Sequence, residues 1–353
     1  MRDRIFPRSG YNASASSTAG PQGDYAEIVY LGAVTGGWGT SDENFSVVVT
    51  PTSSPSPSWN QSFLAVNASS WAQTAADGFF GLAFSTISDA GANTVVETML
   101  WDGLLDAPRF AMYYGTEFSN TGANADGSGP GDGVLTIGGS REETYVEGAE
   151  AGTTWVPLVL LDGQTEYQVW RGKLLSISAS RTGDGNGTTT TTIDTATAAD
   201  AQAATESSVD FYNTYAVFDS GAGSMSVPES QVDAIYEAIG LWSYRDILER
   251  GRVPLCAEFN SSWSVSFHFQ GDDAADASDV RTVTLTGDQL ARPGFANGRQ
   301  DTCWPPFEGG NGDGFFLLGT PLLNKFYTIW DFGADKVEAY KPQVGFGKLK
   351  SGL

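Results

Sequence analysis

The chain has 353 residues, which is long enough to bury two sizeable hydrophobic cores. Its formal net charge is −23, with 19 basic against 42 acidic residues, which argues against nucleic acid or an anionic membrane as a partner. No run of about 18 apolar residues occurs, so the sequence predicts no transmembrane helix. Short β-branched and aromatic runs alternate with Gly, Ser, Asp and Pro clusters, and this pattern predicts a mostly-β fold.

The first part of the chain contains three informative segments. Residues 77–84, Asp-Gly-Phe-Phe-Gly-Leu-Ala-Phe, place apolar residues around Gly81. A helix is predicted around four apolar positions, Val95, Val96, Met99 and Leu100. The Gly- and Asp-rich residues 119–133 predict a surface loop.

Two polar segments interrupt the second part of the chain. Residues 181–209 form a Thr-, Ala-, Asp- and Gly-rich tract that is too polar to pack. We predict a mobile loop or a glycosylated excursion there. A second polar loop is predicted from Gly271 to Ser278.

The most informative segment runs from residue 214 to residue 228. The apolar run Ala216-Val217-Phe218 leads into Asp219, and Ser220 and Gly221 predict a tight turn directly after it. A carboxylate at a strand end can be aimed into a cleft, although a plain surface turn is the alternative interpretation. Pro228 and Glu229 predict the first turn of a helix, whose buried face is indicated by Val232, Ile235, Tyr236 and Ile239.

The single histidine and the two cysteines restrict the possible chemistry. His268 lies in the alternating run Ser266-Phe267-His268-Phe269, which predicts a strand with a structural or solvent-facing histidine. This interpretation removes any catalytic set that needs a histidine base. Cys256, Cys303 and His268 have no metal-ligand spacing, so no metal and no cofactor are predicted.

Taken together, the segments resemble the pepsin-like aspartic peptidases along nearly the whole chain. Asp219-Ser220-Gly221 matches the active-site turn of that family's C-terminal lobe, and residues 316–322 resemble the strand that threads past it. Residues 77–84 resemble the corresponding strand of the N-terminal lobe. Tyr30 matches the tyrosine of the substrate-covering flap, which we expect near residues 26–48. Gly138-Gly139 and the segment after Trp155 resemble the passage between the lobes.

The resemblance implies an all-β, bilobal pepsin-like acid protease fold with a few short helices. Residues 1–164 would form an incomplete N-terminal lobe with the flap, and residues 165–353 the C-terminal lobe. It also implies a monomeric endopeptidase that hydrolyses peptide or protein substrates at acidic pH with water activated by two aspartates. Cys256 and Cys303 would form the disulfide that the family commonly has in this lobe.

One feature of the family pattern is missing from the sequence. The first catalytic aspartate should lie in an Asp-Thr-Gly-Ser turn upstream of Tyr30, and no such turn is present there. Asp3 is followed by Arg and Ile, and Asp194-Thr195 is followed by Ala in place of glycine. We therefore expect that the chain begins inside its first lobe and is inactive in this form. The alternatives are a catalytically silent peptide-binding or inhibitor protein, and a single-aspartate chain that dimerises to build the pair.

The cellular location is indicated by weaker signals. No apolar segment of a signal peptide follows Met1, which agrees with a missing N-terminal segment. Six Asn-x-Ser/Thr sequons occur, at Asn12, Asn44, Asn60, Asn67, Asn186 and Asn260. Together with the family resemblance they favour a secreted or vacuolar glycoprotein.

Overall fold

A computed structural model describes residues 12–17, 19–29, 33–41, 59–69, 78–88, 92–115, 133–182 and 204–353. In chain order its strands are β1 Gly20–Val29, β2 Ala33–Ser41, β3 Gln61–Ser69, β4 Arg109–Tyr113, β5 Val134–Ile137, β6 Thr153–Pro157, β7 Arg171–Thr182, β8 Ala204–Phe218, β9 Met225–Pro228, β10 Trp263–Gln270, β11 Val280–Thr286, β12 Glu308–Asn311, β13 Phe315–Leu318, β14 Phe326–Asp331 and β15 Gln343–Lys348. The α-helices are α1 Val95–Trp101, α2 Glu142–Tyr145, α3 Val232–Ile239, α4 Tyr244–Glu249, α5 Gly287–Leu290, α6 Phe295–Gly298 and α7 Thr320–Leu323. The predicted β-rich fold with a few short helices is confirmed. None of the helices in these ranges is long and apolar enough to cross a membrane.

The strands of the described residues form three sheets. The first contains β1, β2 and β3, and its strands are antiparallel. The second has seven strands in the order β11-β10-β7-β8-β13-β9-β12. The third has five strands in the order β5-β4-β14-β15-β6. The first sheet comes from the N-terminal half and the second from the C-terminal half, whereas the third draws on both.

The five-stranded sheet joins the end of the chain to its first half. Strand β14 pairs with β4, with Ile329 opposite Ala111, and β15 pairs with β6, with Gly345 opposite Trp155. The division at residues 164 and 165 stays a prediction. The last strands of the predicted C-terminal lobe nevertheless pair with strands of the predicted N-terminal lobe.

Aromatic side chains fill the core where the two larger sheets meet. Phe218 of β8 lies 5.2 Å, between ring centroids, from Phe346 of β15. Trp170, just before β7, lies 5.6 Å from Phe110 and 5.4 Å from Trp330 on the five-stranded sheet. These five side chains are at most 3 % exposed. Each such aromatic pair contributes about 0.5–1.5 kcal/mol beyond area burial, so the cluster fixes the sheets against each other.

The two helices predicted from apolar spacing are confirmed. Helix α1 includes all four predicted positions. In α3 the predicted apolar face is buried, and the helix ends at Gly240, whose φ of 71° lies in the left-handed region that favours glycine. The predicted start of this helix is wrong, because Pro228 is the last residue of β9 and the helix begins at Val232. Pro228 has no N–H to donate, and it lies at the last position of β9, where the pairing with β12 is irregular.

The strand predicted within residues 77–84 is not found in the described part, Gly78–Phe84. No strand is assigned there, and the side chains of Phe79 and Phe80 are 68 % and 39 % exposed. A strand forms only where its backbone groups pair with a neighbour. The expected neighbour, an Asp-Thr-Gly turn, does not occur in the sequence.

The predicted polar insertion is shorter than residues 181–209. Strand β7 continues to Thr182 and β8 begins at Ala204, and the two strands pair up to Thr182 opposite Ala204. The remainder of the insertion, 183–203, lies outside the described residues, as does most of the predicted loop at 119–133. The polar loop predicted at 271–278 connects β10 to β11.

The disulfide is present, with the Cα atoms of Cys256 and Cys303 4.9 Å apart. His268 lies in β10 as predicted, and its ring nitrogens lie 2.8 Å from the Ser178 hydroxyl and 3.0 Å from the Thr282 hydroxyl. Burial lowers the pKa of His268, while Glu206 and Asp210 raise it. In the part of the chain that the structure describes, no cluster of three or more His, Cys, Asp or Glu side chains could hold a metal ion.

Candidate active site

Asp219 lies at the end of a buried strand in the middle of the seven-stranded sheet. Strand β8 pairs in parallel with β13, with Phe218 opposite Leu318, and the Asp219 N–H donates to the Leu318 carbonyl at 3.1 Å. The predicted contact between Asp219 and the strand before Gly319 is therefore confirmed. Asp219 and Ser220 are both half-buried. A half-buried carboxylate at such a strand end is accessible to a ligand and at the same time held by the sheet.

The turn after Asp219 is closed by its own backbone and side chain. The Gly221 N–H donates to Asp219 Oδ1 at 2.8 Å, and the Ala222 N–H donates to the Asp219 carbonyl at 3.2 Å. Gly221 does not have a positive φ. A Cβ at this position would lie 3.2 Å from Asp219 Oδ1 and would crowd it. The glycine is therefore favoured by space beside the carboxylate rather than by backbone conformation.

The segment from Leu318 to Thr320 holds this turn in place. The Gly319 N–H donates to the Ser224 carbonyl at 3.1 Å, and the Thr320 N–H and hydroxyl donate to the Ala222 carbonyl at 2.8 and 3.1 Å. A Cβ on Gly319 would lie 2.3 Å from the Ala222 oxygen and 2.4 Å from the Ser224 oxygen. Only glycine allows the two backbone segments to approach so closely. The sequence pattern Leu-Leu-Gly thus becomes a rigid support for Asp219.

Tyr114 brings the five-stranded sheet to the same site. It directly follows β4, and its hydroxyl is buried. Burial raises the pKa of Tyr114, the neighbouring Thr328 side chain lowers it, and the negative charge of Asp219 raises it further. Tyr114 was not predicted to be near Asp219, because nothing in the sequence near residue 114 indicates which strand of the other half lies beside β4.

Two basic side chains lie on the face of the sheet that also carries Tyr215. Gly172 of β7 faces the core, since a Cβ there would lie 2.9 Å from Val156 Cγ1. Because side chains alternate along a strand, Arg171 and Lys173 face the opposite side. Their cationic groups lie 5.8 and 4.4 Å from the ring centroid of Tyr215 on β8. Because alternate residues of a strand share a face, the sequence could have predicted that Arg171 and Lys173 lie on one face of their strand. In the same way it could have predicted that Tyr215 lies on the face towards which the spacing directs Asp219.

The predicted flap is present in part. Strands β1 and β2 pair antiparallel, with Val29 opposite Ala33, and they include the described part of the segment 26–48. Tyr30 lies outside the described residues. Its role over the substrate therefore stays a prediction.

Comparisons with known proteins agree with this geometry. A model of the family described as eukaryotic aspartyl protease matches residues 7–341. The chain belongs to this family. The matched range includes the Asp219 turn and the Leu318–Thr320 segment.

Among curated proteins, mouse gastricsin is 22 % identical over 93 % of the chain and 69 % of its own length. Human napsin-A is 25 % identical over 78 % of the chain and 52 % of its own length. A probable vacuolar protease A of the fungus Trichophyton verrucosum is 24 % identical over the same two shares, 78 % and 52 %. This member of the aspartyl protease family therefore spans about half to two thirds of the length of these relatives.

Proposed function

We propose that the protein is an aspartic endopeptidase and that Asp219 is one of its two catalytic carboxylates. The observation that carries this proposal is the clamped turn: Asp219 is held at a strand end by Leu318, and its turn is tied to Gly319 and Thr320. A catalytic carboxylate needs such fixed placement, because small displacements from the reacting geometry are costly to the rate. Membership of the aspartyl protease family supports the same assignment.

The chemistry follows from the properties of paired carboxylates. Two carboxylates that lie close together cannot both ionise, so they share one proton. The ionised member takes a proton from a water molecule, which attacks the peptide carbonyl carbon. The protonated member donates a hydrogen bond to the oxygen of that carbonyl as it becomes negatively charged. Asp219 would be one member of this pair.

The second carboxylate determines whether the chain is active. Asp219-Ser220-Gly221 is the only Asp-Ser/Thr-Gly sequence in the 353 residues. We therefore expect these 353 residues alone not to cleave peptides. A form in which a segment with Asp-Thr-Gly-Ser precedes residue 1 should be an endopeptidase that is active at acidic pH and prefers large apolar residues around the scissile bond.

The test is a peptide-cleavage assay from about pH 3 to pH 7 on both forms. A statine-type peptide, which mimics the transition state, should block the activity of the longer form. Cleavage by the 353-residue chain that continues unchanged in Asp219→Asn would overturn the proposal.

A catalytically silent peptide-binding protein is the second candidate, favoured by the single Asp-Ser-Gly turn. It predicts that statine-type peptides bind in a manner that depends on Asp219, while no form of the chain cleaves them. Cleavage by the longer form would therefore decide against it.

We further propose that the protein is a secreted or vacuolar monomeric glycoprotein with peptide or protein substrates. Vacuolar protease A is among its relatives, and three sequon asparagines, Asn12, Asn60 and Asn260, are exposed. At Asn260 the side-chain oxygen accepts from the Ser262 N–H at 3.0 Å, so the sequon forms a turn at the surface. Expression in a secreting eukaryotic host, with a mass shift after enzymatic removal of N-glycans, tests this assignment. Light scattering tests the oligomeric state.

A further inference from the structure

Arg171 is a buried cation for which the structure shows no acidic partner. It is only 6 % exposed. One hydrogen bond is described for its guanidinium, from Nη2 to Gln164 Oε1 at 2.7 Å, and its Nε is buried with no partner among the described residues. None of the ion pairs in the described ranges includes Arg171 or Lys173. A buried guanidinium that lacks hydrogen-bond acceptors is destabilising unless a ligand supplies them.

Lys173 extends this positive charge along the same face. Its Nζ lies 4.4 Å from the centroid of the Tyr215 ring and donates to Asn213 Oδ1 at 3.1 Å. Both cations therefore lie within 6 Å of the centroid of the same aromatic ring. In a chain with a net charge of −23, two adjacent cations that form no ion pair among the described residues are an unusual local environment.

The position of these cations relative to Asp219 follows from the strand register. Arg171 lies directly opposite Val217, and Lys173 opposite Tyr215. Tyr215 and Val217 alternate along β8 and share one face, and Asp219 follows Val217 by two residues, directly after the end of the strand. On adjacent strands, a residue lies about 7–8 Å, between Cα atoms, from the residue two positions beyond its direct partner. Since the direct partner of Arg171 is Val217, this is the separation we expect between Arg171 and Asp219.

We propose that Arg171 and Lys173 select substrates with an acidic side chain near the scissile bond. This inference rests on the function proposed above and names a specificity that the family assignment does not contain. An extended peptide advances about 3.3 Å per residue. A glutamate or aspartate two to four residues from the bond, on the Tyr215 side of Asp219, reaches Lys173 and replaces Gln164 as an acceptor for Arg171. An ionised carboxylate is the complementary ligand for an arginine fork.

The test uses peptides with a central statine residue and the 353-residue chain. Each of the four positions on either side of the statine carries Glu, Gln or Lys in turn, and dissociation constants are measured at pH 6, where glutamate is ionised. At one or two positions on one side only, the Glu peptide should bind about tenfold more tightly than the Gln peptide. Added salt should weaken this preference.

Variants assign the preference to the two cations. Arg171→Gln and Lys173→Gln should each reduce it, the double variant should abolish it, and Arg171→Glu with Lys173→Glu should favour the Lys peptide. Arg245→Gln, which removes an exposed cation paired with Glu249, should leave it unchanged. Lys173 is half-buried, so Lys173→Gln remains informative if variants of the buried Arg171 fail to fold.

The outcomes separate this inference from the proposed function. If the Gln peptide binds and its binding is lost in Asp219→Asn, but Glu confers no advantage, the specificity is wrong and the proposed function stands. An equal Glu preference in the unaltered chain and in the double variant also overturns the specificity. If no statine peptide binds to the 353-residue chain in an Asp219-dependent manner, the specificity is overturned, and the cleavage assay on the longer form decides the proposed function separately.

Discussion

Two segments of this protein have the same apolar-apolar-glycine pattern but different structures. They are Phe79-Phe80-Gly81 in the first half of the chain and Leu317-Leu318-Gly319, which follows Phe316, in the second half. Phe316 lies in β13 with no exposed surface, between β8 and β9, and its ring lies 5.0 Å from Phe211. Phe79 lies outside any strand and is 68 % exposed. Gly319 is in contact with two carbonyl oxygens, whereas no described atom lies within 4 Å of a Cβ built on Gly81. The same residue types therefore become a strand only where a neighbouring strand and turn receive them.

The largest expected effect concerns Asp219, whose turn is supported by the segment Leu318–Thr320. In the cleavage-competent longer form, Asp219→Asn should lower kcat/KM by about a thousandfold or more, because the amide cannot accept the proton from water. The control is Asp288→Asn at an exposed position on α5, which should leave the rate unchanged. Retention of more than a tenth of the activity by Asp219→Asn would remove Asp219 from the mechanism.

The two phenylalanines test the comparison directly. Phe316→Ala should lower the free energy of unfolding by about 3–5 kcal/mol, since it creates a cavity in a closed core. Phe79→Ala should change it by no more than about 0.5 kcal/mol, because the side chain is mostly exposed. Urea unfolding of both variants measures the difference. Equal losses would contradict the exposed position of Phe79.

The two glycines test the role of close backbone approach. Gly319→Ala should cost about 3 kcal/mol, because the new methyl group would overlap the carbonyl oxygens of Ala222 and Ser224. It should also displace Asp219, so statine-peptide binding should weaken together with stability. Gly81→Ala is the matched substitution, with an expected change within about 0.5 kcal/mol. A neutral Gly319→Ala would contradict the clamped turn.

The disulfide sharpens the comparison, since both cysteines of the chain lie in its C-terminal half. Replacing Cys256 and Cys303 with Ser should lower the free energy of unfolding by about 2–4 kcal/mol, because the bridge joins residues 47 apart. Unfolding of the double variant beside the untreated protein measures this loss. If mass spectrometry of the non-reduced protein finds two free thiols, the bridge does not form.

The smallest expected effect comes from His268. Burial lowers its pKa below the ordinary 6.5, so the unfolded chain binds this proton at a higher pH than the folded chain does. Above about pH 6.5 both states are neutral and His268 contributes nothing to the pH dependence. As the pH falls below that value, the unfolded state is favoured and stability falls. Urea midpoints at pH 7.5 and 5 should therefore differ less for His268→Gln than for the unaltered protein, and an equal difference would contradict the shift.

Much of the local structure could be predicted from residue spacing. The apolar positions of α1 and α3, the strand that carries His268, and the turn at Asp219 all follow from local patterns. The incorrect predictions concern segments whose local residue pattern is compatible with two different structures. Pro228 can begin a helix or end a strand, and the pairing of β9 with β12 and β13 decides for the strand.

By itself the sequence determined which segments could become strands, helices and turns, and that one Asp-Ser-Gly turn ends a strand. Only the tertiary structure decided which of these segments pair. It places Gly319 against the carbonyls of Ala222 and Ser224, Tyr114 near Asp219, and Arg171 opposite Val217. It also leaves Phe79 and Phe80 exposed, although Phe79-Phe80-Gly81 has the same apolar-apolar-glycine pattern as Leu317-Leu318-Gly319. The physical reason is that strand pairing and burial depend on partners far away in the chain, which periodicity within one segment does not contain.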